Sequence, residues 1–250
     1  MFEIFAAFVL GLFVGSFLNV CIHRLPRGQS IVMPPSHCPA CGKTLGFVEL
    51  IPLVSFCWQR GRCRSCRVKI SWRYPGVELL TGLLFAILYR HFGLPEVLWQ
   101  AVFYSILVAI FFIDWEHGLI PNALVAALLL LTAAVQLFMP QISFFAALGG
   151  GVLGGGLFLL LAILSKGGMG GGDIKLMTVL GLWFGWQQTI LLIFLAFFSG
   201  GIVAVLLLLL KIKKRKDAVP FGPFLVLSAF IVGMWGKQII TWYLRFSGLS

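Results

Sequence analysis

Charged residues are scarce in this chain, and acidic residues are the scarcest of them. Only 11% of the 250 residues are charged and only eight are Asp or Glu, whereas 60% are hydrophobic. A soluble domain carries about 25% charged residues, so this composition excludes an ordinary soluble domain and is typical of a polytopic membrane protein. We therefore predict an all-α fold whose helices cross a lipid bilayer several times.

The excess of basic residues does not indicate a nucleic-acid-binding protein. The formal net charge is +11, but nine of the 19 Lys and Arg lie between Arg24 and Arg73 and five lie in 211–216. Basic blocks between apolar runs are typical of cytoplasmic loops. We expect the bilayer to be a partner and nucleic acid not to be one.

Basic residues are missing before the first apolar run, 4–22, which argues against a signal peptide. Glu3 precedes this run, whereas Arg24 and Arg27 follow it. Positive charge is retained on the cytoplasmic side, so we predict a retained transmembrane helix with its N-terminus outside and the next loop inside.

Apolar runs long enough to span a bilayer, about 20 residues each, predict about eight transmembrane helices. They lie near 4–22, 76–92, 96–114, 119–139, 142–164, 174–186, 188–210 and 221–244, and the sixth is short. This count puts four loops in the cytoplasm, and 16 of the 19 Lys and Arg lie in or beside them: 23–75, 115–118, 165–173 and 211–220.

The fifth predicted helix contains "GGGVLGGG" (149–156), which spaces small residues four apart. Gly150 with Gly154 and Gly151 with Gly155 are examples. This pattern lets helices approach closely in lipid, so we interpret it as a packing surface.

Five of the six cysteines lie in the first basic loop, and four of them form two C-x2-C pairs. Cys38 and Cys41 make the first pair, and Cys63 and Cys66 the second. Four thiolates at this spacing predict a structural zinc site that stabilises a small cytoplasmic domain poor in apolar residues. Two disulfides remain the alternative if the topology is inverted.

Two of the eight acids lie at predicted helix ends on the same, cytoplasmic side. Asp114 ends the third predicted helix, and Asp173 begins the sixth after "SKGGMGGG". Charged residues at the membrane usually mark a functional site. A pair of neighbouring carboxyls can divide the roles of general base and general acid, as in an aspartic protease. A simple N-cap is the alternative for Asp173.

Two other interpretations of the glycine tract fail. A P-loop requires Lys-Ser/Thr after its last glycine, but Gly172 is followed by Asp173. A Rossmann fingerprint requires a βαβ unit, which a transmembrane segment does not provide.

Five motifs combine along the chain: "GGGD" (170–173), "DWEHGLIP" (114–121), "GSFLNVCIHRLP" (15–26), the two C-x2-C pairs and "YPGVE" (74–78). Together they resemble the motifs of bacterial type IV prepilin peptidases, which are intramembrane aspartyl proteases of the GxGD type. The resemblance covers nearly the whole chain.

The resemblance implies a multi-pass enzyme of the bacterial inner membrane, with a periplasmic N-terminus and an active site facing the cytoplasm. Such enzymes cleave the basic leader of prepilins and pseudopilins, in pilus or secretion systems, and then methylate the new N-terminus with S-adenosylmethionine. By motif, Asp114 and Asp173 would be catalytic and Glu116 supporting. The glycines Gly170, Gly171 and Gly172 would let the substrate backbone approach.

The resemblance also implies a division into domains. Residues 1–22 form the first transmembrane helix, 23–75 the cytoplasmic zinc-binding domain and 76–250 a seven-helix peptidase core. The methyltransferase residues are unassigned: "GSFLNVCIHRLP" and Glu78 are candidates, and Glu78 could equally be a buried structural acid.

Two other function classes stay open from the residues themselves. A transporter would use the aspartates as an ion relay, although it would favour carboxylates at mid-membrane rather than at helix ends. A zinc-bearing membrane adaptor would tolerate loss of the aspartates but not of the cysteines.

Overall fold

The computed structural model describes residues 1–166, 168–212, 214 and 219–248, and most of them are helical. The helices are α1 (Phe2–Arg24), α2 (Val54–Trp58), α3 (Arg73–Phe92), α4 (Val97–His117), α5 (Asn122–Phe138), α6 (Phe144–Leu164), α7 (Gly171–Leu209) and α8 (Gly222–Phe246), with 3₁₀ turns at Leu25–Arg27 and Phe47–Leu50. The described residues form no β-strand, only the isolated bridges His37–Thr44 and Arg62–Lys69. The predicted all-α fold is confirmed.

Five helices among the described residues are long and apolar enough to cross a membrane: Phe2–Arg27, Val97–His117, Phe144–Leu164, Gly171–Leu209 and Gly222–Phe246. The helix Asn122–Phe138 is apolar but shorter. Several helices that could cross a membrane are therefore present, and the count of eight stays a prediction. Of the predicted cytoplasmic loops, residues 167, 213 and 215–218 lie outside the described residues.

The chain divides into two compact units, Met1–Ala109 and Ile110–Ser250, with the division inside α4. In the first unit α1 and α3 pack antiparallel: Tyr89 donates to Glu3 at one end, and the Asn19 amide donates to the Tyr74 carbonyl at the other, at 3.0 Å. Glycine permits this close contact, because a Cβ at Gly15 would lie 2.7 Å from the Cα of Glu78.

In the second unit the glycines of α6 form the packing surface that their spacing predicts. A Cβ at Gly154 would lie 2.8 Å from the Met177 carbonyl oxygen, and one at Gly181 would lie 2.5 Å from the carbonyl carbon of Gly150. The backbones of α6 and the first part of α7 therefore touch, as small residues in lipid allow.

The chain reverses direction inside α7, at Gly185. This residue has φ 75° and ψ 164°, a conformation that suits glycine. Before it, α7 runs antiparallel to α6, since Gly150 lies by Gly181 and Gly154 by Met177. After it, the chain runs parallel to α6, since Gly149 lies by Trp186 and Phe158 lies 5.7 Å from Phe197. The sequence predicts separate helices over 174–186 and 188–210, so the reversal falls close to the predicted break.

Candidate active site and cysteine cluster

Asp114 lies in the last turn of α4, where its side chain is 5% exposed. Its Oδ2 accepts a hydrogen bond from the backbone N–H of Gly222 at 2.9 Å. Gly222 is the first residue of α8, and the N-terminus of a helix attracts negative charge. The carboxyl is therefore held in one orientation by a helix 108 residues away in sequence.

Asp173 lies in the first turn of α7 and is half-buried. The N-cap is Gly170 in extended conformation, and Asp173 donates its backbone N–H to the Gly170 carbonyl at 3.1 Å. The alternative that Asp173 is the N-cap is therefore wrong. The last glycines of the tract thus form the first residues of α7, the helix that carries the Asp173 carboxyl.

The two carboxyls lie in the same unit, one at the end of α4 and the other at the start of α7. The connection after α4 helps to position them. A Cβ at Gly172 would lie 2.9 Å from the Cβ of Ile120, and the Lys175 ammonium donates to the Asn122 side-chain oxygen at 3.0 Å. The start of α7 is thus seated against the α4–α5 connection.

The other predicted site residues occupy different surroundings. Glu116 is exposed, unlike buried Asp114. Gly170 lies beside the Asp173 carboxyl, since a Cβ there would be 3.0 Å from Oδ2, whereas a Cβ at Gly171 would have no neighbour within 4 Å. Of the three glycines, Gly171 is the one that borders open space.

The predicted cysteine cluster forms. The sulfurs of Cys38, Cys41, Cys63 and Cys66 all lie within 4.8 Å of one another. Those of Cys38 and Cys66 are 3.8 Å apart, about the spacing of two thiolates that share a zinc at 2.3 Å in a tetrahedron. The four sulfurs thus fit a metal such as zinc, and Cys21 and Cys57 lie outside the group.

Two similar backbone turns bring the four sulfurs together. Cys38 donates its N–H to the Lys43 carbonyl, and Cys63 donates to Val68, both at 2.9 Å. The backbone N–H groups of Cys66 and Ser65 hold the pKa of Cys63 below its usual value, whereas burial and hydrogen bonds with the neighbouring thiols raise the pKa of Cys66. Of the two, Cys63 is therefore the thiol that more readily becomes a thiolate, the form that binds metal.

The polar residues of "GSFLNVCIHRLP" and "YPGVE" meet where α1 packs on α3. Glu78 is buried, and its carboxylate accepts the N–H of Leu53 at 2.8 Å. This contact supports the structural interpretation of Glu78. Asn19 is 2% exposed and donates to the Tyr74 carbonyl, while its Oδ1 has no hydrogen-bond partner among the described residues.

Sequence reasoning missed Gly222, the residue that touches the Asp114 carboxyl. The signal was "PFGPF" (220–224), where glycine and proline lie at the start of the last apolar run, on the predicted cytoplasmic side. Proline at the start of a helix and an adjacent glycine mark a helix N-terminus whose N–H groups point outwards.

Two family profiles match the chain. Residues 9–92 match the bacterial peptidase A24 N-terminal domain, and residues 101–205 match the type IV leader peptidase family. The first match lies within the first compact unit, and the second extends from the end of that unit into α7.

The chain is also similar to curated proteins named prepilin leader peptidase/N-methyltransferase. That of Pseudomonas aeruginosa is 37% identical over 274 residues, which cover 97% of this chain and 93% of the relative. That of Bacillus subtilis is 35% identical over 239 residues, which cover 95% of this chain and 96% of the relative. No solved structure matches.

Proposed function

This chain belongs to the type IV leader peptidase family, and we propose that it cleaves the leader of prepilins and pseudopilins with Asp114 and Asp173 and then methylates the new N-terminus. The names of the relatives support both activities. The observation that carries the catalytic assignment is that both carboxyls lie at helix ends within one compact unit, with buried Asp114 held by the Gly222 N–H and Asp173 half-buried beside the glycine tract.

In the proposed reaction the two carboxyls begin with one proton between them. The ionised carboxylate takes a proton from water, and the resulting hydroxide adds to the carbonyl carbon of the scissile peptide bond. The protonated carboxyl then gives its proton to the leaving nitrogen as the C–N bond breaks. The Gly222 N–H keeps Asp114 oriented throughout.

Substrate geometry supports reaction at the cytoplasmic interface. A prepilin's apolar helix can enter from the bilayer while its basic leader stays in the cytoplasm. Gly170, Gly171 and Gly172 leave the backbone of the tract accessible beside Asp173, and Gly171 borders open space. Glu116, which is exposed, is the acid that we propose for the leader, because the surrounding loops are basic.

We propose S-adenosylmethionine as the methyl donor, which supplies an electrophilic methyl group to the new N-terminal amine. The unpartnered Oδ1 of buried Asn19 fits a ligand that carries a donor such as an amino group. Mass spectrometry of mature pilin tests this step, and an N-terminus that is always unmodified would contradict it.

We propose that zinc at Cys38, Cys41, Cys63 and Cys66 is structural. Four thiolates complete a tetrahedral shell and leave no position for water or substrate. We further propose the bacterial inner membrane, with residues 23–75 and the active site on the cytoplasmic side, since the basic loops favour that orientation.

The test of the catalytic pair is cleavage of a prepilin by membranes that contain Asp114→Asn or Asp173→Asn. Loss of the acid–base function is expected to reduce cleavage by at least about 100-fold, while the protein stays in the membrane. Electrophoretic mobility and N-terminal mass report the product. Glu96→Gln, in the α3–α4 connection, is the matched control and should cleave normally; normal cleavage by either Asp variant would refute the assignment.

A further inference from the structure

The segment between α1 and α3 carries large apolar side chains that the described residues leave uncovered. Phe47 is 81% exposed, Trp58 79% and Trp72 78%. Each such side chain can bury about 150–250 Å², so together they exceed the few hundred Å² that soluble monomers usually expose in one patch. With exposed Val48 and Val54, they form what we call the apolar patch.

Local contacts join this patch into one surface. The 3₁₀ turn Phe47–Leu50 contacts α2, which carries Val54 and Trp58. The ring of Phe56 in α2 lies 4.9 Å from the ring of Trp72, the residue that caps α3. The patch therefore surrounds α2 and the start of α3.

A buried hydrogen bond places the patch beside the helix pair. The N–H of Leu53, between the 3₁₀ turn and α2, donates to Glu78 at 2.8 Å. Glu78 lies more than one turn inside α3, next to Gly15, which is more than two turns before the end of α1. Residues 47–58 are thus held against the helix pair rather than projecting into water.

The charge of the same segment indicates what covers the patch. Residues 25–72 contain seven Lys and Arg but a single acid, Glu49. Each basic residue near an anionic bilayer surface adds to the attraction between the segment and the lipid headgroups. Tryptophan and basic side chains are enriched at the headgroup level, and apolar burial combined with such attraction gives stable interfacial binding.

We propose that the apolar patch inserts into the headgroup region of the bilayer where α1 ends and α3 begins, and that the basic residues around it bind anionic lipid headgroups. The inserted patch then holds the cysteine cluster at a fixed distance from the membrane surface. A prepilin leader is a poor alternative occupant because it shares the positive charge of the segment. This inference does not depend on the assignment of the catalytic aspartates.

Photolabelling of the full-length protein in nanodiscs tests the proposal. The discs contain phosphatidylglycerol and a phospholipid with a diazirine near its glycerol, and mass spectrometry locates the lipid adducts after illumination. We expect adducts in 47–58 and at Trp72, at a yield that falls several-fold in discs of phosphatidylcholine alone. Adducts confined to the membrane-crossing helices would overturn the proposal.

Two sets of variants separate the contributions of the apolar and basic residues. Phe47→Ser with Trp58→Ser should remove most labelling of the segment in both kinds of disc. Lys43→Gln with Lys69→Gln should instead reduce the difference between anionic and neutral discs. Zinc content reports that each variant is folded. The control is Trp242→Ser, which removes an exposed tryptophan of α8. In this variant the lipid probe should label residues 47–58 as it does in the wild type.

Two further results would count against a lipid surface. Unchanged labelling in the Phe47/Trp58 variant would show that the patch is not the contact. Protection of 47–58 from hydrogen exchange only after a prepilin is added would assign the patch to the substrate. The Asp114→Asn protein should label as the wild type does, which separates this inference from the proposed peptidase activity.

Discussion

At the scale of single residues, the contact with the Asp114 carboxylate explains why position 222 is a glycine. Its N–H bonds Asp114 at 2.9 Å, and a Cβ in its place would lie 2.6 Å from Oδ2 and 3.0 Å from Cγ of the same side chain. Because a carboxylate can rotate away, the extra methyl group would displace the Asp114 carboxyl without forcing the helices apart.

Gly222→Ala is therefore expected to lower the rate of leader cleavage while leaving the stability of the protein nearly unchanged. Misplacing a reacting group by about 1 Å can reduce a rate by about 100-fold. Single-turnover cleavage and thermal unfolding in detergent measure the two effects. An unaltered cleavage rate would show that the position of Asp114 seen here is not the reactive one.

Gly171→Ala tests the proposed approach of the substrate backbone. A Cβ at this position meets nothing in the structure, and alanine is a better helix former than glycine, so the variant should fold. A substrate strand that runs close to the tract would contact the new methyl group, and we expect kcat/KM to fall. Gly201→Ala, which also has no neighbours within 4 Å, is the control; equal activity of both variants would exclude this role.

At the scale of secondary structure elements, glycine decides how closely helices pack and where one reverses. The α6–α7 contact is backbone on backbone at Gly150 and Gly181, and the reversal at Gly185 uses a positive φ. The spacing of small residues in 149–156 predicted the first of these features. The second was predicted only as a break between two apolar runs, because hydropathy records length but not direction.

Gly181→Ala is expected to destabilise the second unit by about 1–3 kcal/mol, the usual cost of overpacking. The Cβ would lie 2.5 Å from the carbonyl carbon of Gly150, and backbone atoms cannot rotate out of the way. Gly156→Ala on α6, where nothing lies within 4 Å, should have no such effect. Thermal unfolding in detergent compares the two variants, and equal melting temperatures would contradict this account of the contact.

At the scale of the whole molecule, the chain combines apolar helices with one polar segment that contains little core of its own. In the cysteine cluster, Cys38 and Cys63 are each 5% exposed, whereas Cys41 and Cys66 are exposed. Two of the four cysteines therefore contribute to the interior of the segment. A structural zinc site can contribute on the order of 10 kcal/mol to the folding of such a segment.

Removal of the metal is accordingly expected to unfold 25–72 while the apolar helices persist. Cys66→Ser should lose zinc, measured as metal per chain, and should be cleaved by trypsin within this segment. Cys57→Ser removes an exposed cysteine outside the cluster and should retain both zinc and protease resistance. Full zinc occupancy in Cys66→Ser would show that the four cysteines do not act together.

The sequence by itself determined the features that depend on neighbouring residues. Composition indicates the membrane, two C-x2-C spacings predict the cysteine cluster, and apolar runs place Asp114 and Asp173 at helix ends. Tertiary structure alone decided that Gly222 holds Asp114 and that Glu78 receives the Leu53 N–H, contacts that join residues 108 and 25 positions apart. The physical reason is that a hydrogen bond between distant segments depends on how helices pack, and packing leaves no periodic pattern in the residues that it brings together.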